Sequence, residues 1–447
     1  MKERIRHNNA LYIFLPLIAI AVLRMADKTS VFSYGYTLLI FFAFHLLHWE
    51  KKELDRNFVY LHYYLAHAIL LFCIFRYQMP EYMGLTGPEG GIGTDDVRFY
   101  AQVVQGKGVF YHIKVSLVNI HHFSSLLILC YPFEVHTPLN LIIFNLVGVC
   151  FLPYYMKKLT MEIFVDEKLA NRVGLLTLLC PFLTYYGCIL MRDTLIVTLV
   201  VGGMYYFMRR KYIPLLIMTA LIIWVRFGSF IYLLTGILLI MRRNMLVENK
   251  STIRLTLLII VLVIIFNYSY ETIQELSAGK LGESVFRSTE GDFFEDTTIS
   301  KLTKLRFPLN IITLTVFFLV NPMFGWRGLS AGITHEIYLM SSIYCATING
   351  LFMLVLWPFV FNGILAWFNR RNVNLQLAIL LMFGFTIVLG VVDLQMRHKV
   401  IVYPFICMVA AYGMVRFDHL SKYLTTILGG LMIAAQLALF VVRVLLP

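Results

Sequence analysis

Residues 11–23 read LYIFLPLIAIAVL, an apolar run that follows the basic stretch MKERIR at residues 1–6. A helix needs about 20 mostly apolar residues to cross the hydrocarbon layer of a bilayer. Apolar runs of this kind recur along the chain as far as residue 446, with short polar breaks between them. No small-residue cleavage site follows the first run, so we interpret it as a retained span and not as a signal peptide. This pattern predicts an all-α, polytopic transmembrane helical bundle.

The composition of the whole chain supports the same class. Of its 447 residues 59% are hydrophobic, the mean hydropathy is +0.76, and no soluble globular domain has such a composition. The formal net charge of +13 comes from short Lys and Arg clusters between apolar runs, so we expect a lipid bilayer and no nucleic acid as partner. Most cysteines, such as Cys73, Cys150, Cys188 and Cys407, lie within apolar runs and are expected to be packing residues.

The basic clusters also orient the chain, because short loops rich in Lys and Arg stay on the cytoplasmic side. With every cluster inside, the N-terminus is cytoplasmic and the chain lies in a bacterial inner membrane. The predicted spans lie near 11–23, 31–48, 58–75, 139–156, 174–190, 194–208, 213–225, 229–241, 254–269, 338–367, 375–392, 400–415 and 424–444. Residues 115–133 and 309–320 become interfacial or re-entrant segments, and the total is roughly 11–15 spans.

This threading predicts a single domain over residues 1–447 with two long loops on the outer side. The first loop, 77–138, is expected to contain interfacial helices, and the second, 270–337, a re-entrant segment. Loops of this length with helical and aromatic content are typical of a functional cap. Chemistry is therefore expected on the outer face.

The first outer loop contains the sequence GIGTDDVRFY at residues 91–100. Thr94 is a good N-cap, which predicts a short helix whose first turn carries Asp95 and Asp96. Asp96 and Tyr100 would share one face of that helix. Either the two carboxylates only favour the helix dipole and face water, or they are catalytic. Arg76 and Arg98 are predicted on the same outer surface.

Two further outer turns carry charge between apolar segments, where charged residues are costly unless they are paired or wet. Arg192-Asp193 is one turn, and Arg226, between Trp224 and Gly228, is similar. The first is either a locally paired hairpin tip or part of a site. A lone guanidinium near a membrane surface needs an anion, so Arg226 is a candidate phosphate ligand.

Residues 393–399 read DLQMRHK at a third outer turn. Arg397 can donate two hydrogen bonds to a lipid phosphate, and His398 can act as a titratable donor. The alternative is a solvated turn whose side chains snorkel to water. We predict that Arg192, Arg226 and Arg397 converge, since one phosphate can neutralise several guanidinium groups.

Together these residues resemble the GT-C-like superfamily of polytopic glycosyltransferases that use polyprenyl-phosphate-linked sugars. The resemblance rests on residues 95–100, 140–148, 192–196, 397–400 and 410–413, with Pro181, Tyr185, Pro404 and Phe405. It implies a GT-C-like fold, a loop carboxylate (Asp95 or Asp96) as general base, and a glycan acceptor. It also implies outer-face residues that bind the donor phosphate: Arg76, Arg98, Tyr100, Arg192, Asp193, Arg226, Arg397 and His398.

In that superfamily the acidic loop usually follows the first span, whereas here it follows the third apolar segment. The pattern from residue 75 to residue 100 is also similar to EpsG-like and Wzy-like polymerases of surface polysaccharide. These enzymes use undecaprenyl-linked sugars at the same face. Single-sugar transfer and repeat-unit polymerisation therefore both stay open.

Glycosyl transfer needs a base for the acceptor hydroxyl and stabilisation of the leaving phosphate, roles that suit Asp and Arg. Hard cations favour carboxylates, so Asp95 and Asp96 are also candidate ligands of a divalent cation, Mg²⁺ or Mn²⁺. A third class is a flippase or transporter of lipid-linked oligosaccharide, which needs polar residues in mid-span on several helices. The mid-span segments are nearly free of charge, which favours an enzyme.

Overall fold

The computed structural model describes residues 9–48, 53–78, 95–105, 122–247, 347–392 and 396–415, with isolated positions between 83 and 434. The predictions for the second outer loop at 270–337 and for the span at 254–269 lie outside these ranges, as does most of 424–444. Within the described part the chain is helical and contains no strand. The predicted all-α class is confirmed there.

The helices follow one another with short connections. They are α1 (Asn9–Ala26), α2 (Ser30–His48), α3 (Leu54–Gln78), α4 (Asp95–Val104), α5 (His122–Cys130), α6 (Pro138–Val149), α7 (Phe151–Phe164), α8 (Glu167–Leu179), α9 (Pro181–Gly187), α10 (Asp193–Met208), α11 (Tyr212–Val225), α12 (Phe230–Val247), α13 (Asn349–Arg370), α14 (Val373–Val392) and α15 (Tyr403–Val415). Two 3₁₀ helices, Phe227–Ser229 and Met396–Ile401, precede α12 and α15.

Four stretches are long and apolar enough to cross a membrane by length and composition. They are Leu54–Tyr77, Pro138–Phe164, Phe230–Val247 and Asn349–Asn369. Shorter apolar helices accompany them, including Ser30–Leu46 and Val373–Leu389. Large apolar side chains are exposed on several helices: Phe14 is 63%, Leu216 67% and Val355 64% exposed. Surfaces this apolar are expected where lipid or another protein covers them.

The helices run between two ends of the bundle, which their contacts define. At the end named here the Asp193 end, the Arg192 side chain reaches the last residue of α11, and Asn349 at the start of α13 donates to the Tyr403 hydroxyl at the start of α15. At the other end, the Glu53 end, Lys157 of α7 pairs with Glu53 at 2.7 Å. Arg243 of α12 donates to Asn374 at the start of α14 at 2.9 Å.

The Asp27 turn joins α1 and α2 to the start of α6 at the Asp193 end. The Asp27 carboxylate accepts hydrogen bonds from Thr29, Ser30 and Thr137. Burial by itself raises the pKa of Asp27, but hydrogen bonds from Ser30, Thr137 and Thr29 outweigh it and hold the pKa below its usual value. The Asn140 side chain donates to Ser30. This polar network fixes where α6 begins.

One prediction about cysteines is wrong. Cys150, Cys188 and Cys407 are buried, as expected of packing residues, but Cys73 is exposed. An apolar run shows only that a residue lies in a hydrophobic segment, not which side of its helix faces the bundle, and Cys73 lies on the outward side of α3.

Candidate functional site

Two residue pairs at the Asp193 end hold one another. Residues 192 and 193 begin α10, and residues 225 and 226 end α11. The Arg192 Nη1 donates to the carbonyl oxygen of Val225 at 3.3 Å, while the Arg226 Nη1 lies 3.9 Å from the Asp193 Oδ1. Each pair thus contributes an arginine to the other. We call these four residues the Arg–Asp clasp.

The local backbone explains how the clasp is presented. Arg226 leaves the helix with extended dihedral angles, φ −164° and ψ 101°, although its amide still donates to Ile222 at 2.8 Å. Asp193 is the first helical residue of α10, where a carboxylate is stabilised by the positive end of the helix dipole. The Asn145 side chain donates to the carbonyl of Met191 at 3.1 Å and so holds the turn that precedes α10.

His398 joins the clasp from the 3₁₀ helix Met396–Ile401. Its Nε2 lies 3.2 Å from the Asp193 Oδ1, and the two side chains are only 5% and 3% exposed. Since a carboxylate only accepts hydrogen bonds when ionised, the Nε2 carries the proton in this contact. Asp193 therefore receives Arg226 and His398 on one oxygen.

Lys399 follows His398 and is 1% exposed. Its Nζ lies 5.2 Å from the centre of the Tyr403 ring. Burial lowers the pKa of Lys399 to about 7, because a low-dielectric surrounding disfavours the ammonium form. The sequence analysis did not single out this lysine, although a cation at the start of an apolar segment was a visible signal.

Helix α4 brings the predicted catalytic pair next to the clasp. The Arg192 guanidinium lies 5.5 Å from the centre of the Phe99 ring. Asp96 is three residues before Phe99 and shares its side of the helix; both are buried, Asp96 at 1% and Phe99 at 0% exposure. Asp95 is half-buried. The predicted short helix with both carboxylates in its first turn is confirmed.

Helix α5 connects α4 to the clasp. The Phe99 and Phe123 rings meet edge to face at 5.0 Å, and Ser124 donates to Gln102 at 2.6 Å. The Trp224 indole donates to the Ser125 hydroxyl at 3.2 Å, two residues before Arg226. These aromatic and polar contacts were not foreseen, because they join segments more than 90 residues apart.

The predicted site residues fall into three groups. Arg192, Asp193, Arg226 and His398 are in mutual contact through the clasp, and α4 carries Asp95, Asp96, Arg98 and the buried Tyr100 beside it. Arg76 is exposed and donates to the Ala26 carbonyl at 3.4 Å, in contact with the end of α1. The side chain of Arg397 and all of Thr94 lie outside the described residues. The predicted convergence is confirmed for Arg192 with Arg226.

The donor set for a metal is small. Among the described residues no group of three or more His, Cys, Asp or Glu side chains is placed to hold a metal ion. Asp95 and Asp96 also differ in exposure, one half-buried and one buried. A divalent cation at this pair stays a prediction of the sequence.

Comparisons with protein-family models, with curated proteins and with solved structures return no match to this chain. The case for a function therefore rests on the residues of the clasp and of α4.

Proposed function

We propose that the protein is an integral membrane glycosyltransferase. It would act at the outer face of a bacterial inner membrane and transfer a sugar from a polyprenyl-phosphate-linked donor to a glycan acceptor. The observation that carries the proposal is the convergence of Arg192, Arg226 and His398 around Asp193 at one end of a bundle of apolar helices.

The clasp has the chemistry of a phosphate site. A guanidinium carries five N–H donors, more than one carboxylate or carbonyl can accept. Arg226 is 17% exposed, so it is partly accessible while it faces Asp193. Arginine binds phosphate oxygens with two parallel hydrogen bonds, and these bonds are strong where water is scarce.

The position of the clasp suits a lipid-linked donor. The polyprenyl chain of such a donor lies in the hydrocarbon layer, and its phosphate lies at the membrane surface. Arg192 and Arg226 stand where apolar helices α10 and α11 begin and end, which is the depth at which a lipid phosphate is found. The positive-inside rule puts this end outside, because the basic clusters Arg209/Arg210 and Arg242/Arg243 lie toward the other end of the same helices.

Asp96 supplies the remaining chemistry. In the transfer, the bond between the sugar C1 and the phosphate oxygen breaks and the acceptor oxygen bonds to C1. The acceptor proton passes to the Asp96 carboxylate as general base. The lipid phosphate leaves with its electron pair, and the charge is stabilised by Arg192 and Arg226.

Polymerisation of repeat units is the alternative within the same chemistry. It uses the same donor class, and the contacts of the clasp favour neither outcome. The flippase alternative needs polar groups in mid-span. Tyr34 and His62 do meet there at 2.6 Å, and His62 also binds the Phe58 carbonyl at 2.8 Å. These bonds satisfy neighbouring helices α2 and α3 locally, so they favour a structural role.

The test uses a strain from which the gene is deleted, complemented with wild type, Arg226→Gln or Glu162→Gln at matched membrane levels. Glu162 pairs with Arg209 at the opposite end and both side chains are partly exposed, so Glu162→Gln is the control and should restore the glycan. Arg226→Gln should reduce the product by about 100-fold, as loss of one charge-stabilising donor does.

Sizing the surface glycan distinguishes the two enzyme alternatives. Loss of long chains with single units retained identifies a polymerase. Units that each lack one sugar identify a monosaccharide transferase. An unchanged glycan in the deletion strain would contradict the proposal.

A further inference from the structure

We infer that Asp193 is a positioning residue of the donor site, which aims Arg226 and His398 at the donor phosphate without touching the phosphate itself. The inference rests on the proposed function, because it concerns the same site. It changes the role of Asp193 from a ligand, as the sequence suggests, to an organiser of ligands.

The geometry around the carboxylate supports this role. A single oxygen, Oδ1, faces the His398 Nε2 at 3.2 Å and the Arg226 Nη1 at 3.9 Å. Asp193 is 3% exposed in its side chain, whereas Arg226 is 17% exposed. The cation is therefore more accessible than the carboxylate that holds it.

Electrostatics exclude direct contact between Asp193 and the donor. A carboxylate accepts hydrogen bonds and donates none when ionised, as does a fully ionised phosphate ester, and the two repel at short range. Arg226 and His398 can donate to both. Asp193 can therefore act on the phosphate only through these two cations.

Asp193 is well placed to impose order because its own position is fixed. The turn before it is held by the bond from Asn145 to Met191, and Thr194 after it is buried. Arg226, in contrast, lies in an extended break between α11 and a 3₁₀ helix. A rigid anion beside a cation on a helix break restricts the directions in which the cation can point, and such preorganisation strengthens binding.

Arg192 provides an internal comparison. Its guanidinium contacts the Val225 carbonyl and the Phe99 ring. Among the described contacts that orient it, these two do not involve the Asp193 carboxylate. Loss of that carboxylate should therefore disturb the contribution of Arg226 much more than that of Arg192.

The experiment measures binding of a polyprenyl monophosphate to the full-length protein in lipid nanodiscs. The variants are Asp193→Asn, Arg226→Gln, Arg192→Gln and the two double variants that contain Asp193→Asn. We expect Asp193→Asn to weaken binding about 10-fold, the size of a charge-assisted contact. In the Arg226→Gln background its effect should fall to under about 3-fold, whereas in the Arg192→Gln background it should persist.

A transfer assay adds a readout that a merely structural role would not change. Asp193→Asn should raise KM for the donor and leave KM for the acceptor unchanged, and Asp193→Glu should recover part of the donor KM. If Asp193→Asn does not fold, the cycle of Arg226→Gln and His398→Gln takes its place. The two cations share one carboxylate, so their effects should be non-additive.

The outcomes separate the two claims. Binding that is lost in Arg226→Gln but unchanged or tighter in Asp193→Asn overturns the inference alone, as do additive effects in the cycles. No binding to wild type, or equal binding to Arg192→Gln and Arg226→Gln, overturns the proposed function and the inference with it.

Discussion

Asp95 and Asp96 are adjacent in the sequence, yet α4 gives them different surroundings. Asp95 is half-buried, whereas Asp96 is 1% exposed on the side of the helix that carries Phe99. Adjacent helical residues point about 100° apart, so the two carboxylates cannot do the same work. Phe99 contacts Arg192, which brings the Asp96 side of α4 toward the clasp. The difference between the two residues is thus a property of the fold.

The residue-scale prediction concerns these carboxylates. Asp96→Asn should lower the rate of glycan transfer about 100- to 10,000-fold, because it removes the general base. Asp95→Asn should lower it far less, because a half-exposed carboxylate is partly solvated by water. Both variants are assayed for glycan product at matched membrane expression.

Either of two results would contradict this assignment. Wild-type product from both variants would leave the carboxylates as helix-stabilising residues only. A larger loss in Asp95→Asn than in Asp96→Asn would move the base to the half-buried position.

Helices α13 and α15 pack closely enough that glycine is required where they cross. A Cβ at Gly413 would clash with the carbonyl oxygen of Phe359, and one at Gly363 would lie 2.7 Å from the carbonyl oxygen of Val409. The Asn362 side chain donates to the Gly413 carbonyl at 2.7 Å. Small residues allow this approach of two backbones, and interhelical hydrogen bonds strengthen it.

The element-scale prediction tests that crossing. Gly413→Ala should destabilise the protein by about 1–3 kcal/mol, because the obstructing atom belongs to a backbone and cannot move aside alone. The control is Gly35→Ala on α2, where an added Cβ meets nothing within 4 Å. That change should be neutral or should stabilise by up to about 1 kcal/mol through helix propensity.

Thermal unfolding in detergent micelles measures both variants. Equal melting temperatures for the two would show that α13 and α15 can separate without loss, and the close crossing would not contribute to stability.

At the scale of the whole molecule, the two ends of the bundle differ in their charged contacts. The Glu53 end carries several ion pairs, among them Lys157 with Glu53 and Arg209 with Glu162. The Asp193 end carries the clasp and the Asp27 network. Clusters of Lys and Arg favour the cytoplasmic side, so we assign the Glu53 end to the cytoplasm and the Asp193 end to the outside.

Cysteine labelling tests this orientation. Glu134→Cys, at a side chain 83% exposed before α6, should react with a membrane-impermeant maleimide in intact cells. Glu167→Cys, at an exposed position in the first turn of α8, should react only after the membrane is permeabilised. Acidic residues contribute little to orientation, so the substitutions should leave it unchanged.

Wild type gives the background from the native cysteines, of which Cys73 and Cys130 are exposed. Protection of Glu134→Cys in intact cells together with labelling of Glu167→Cys would invert the orientation and with it the proposed outer-face site.

Properties of single residues sufficed to predict much of this protein. Hydropathy alone indicates apolar helices, and N-cap and acidic residues indicate that a helix begins near Asp95. The charged turn at Arg192-Asp193 was also visible, because charge is costly between apolar segments.

The pairings within the site required the tertiary structure. Nothing in the local sequence states that Asp193 faces His398, which lies 205 positions later along the chain, or that Arg192 contacts Phe99 of α4. Nor did hydropathy distinguish the exposed Cys73 from the buried Cys150. Hydropathy and helix caps depend on near neighbours in sequence, whereas burial and ion pairing depend on which helix faces come together, and only long-range packing determines that.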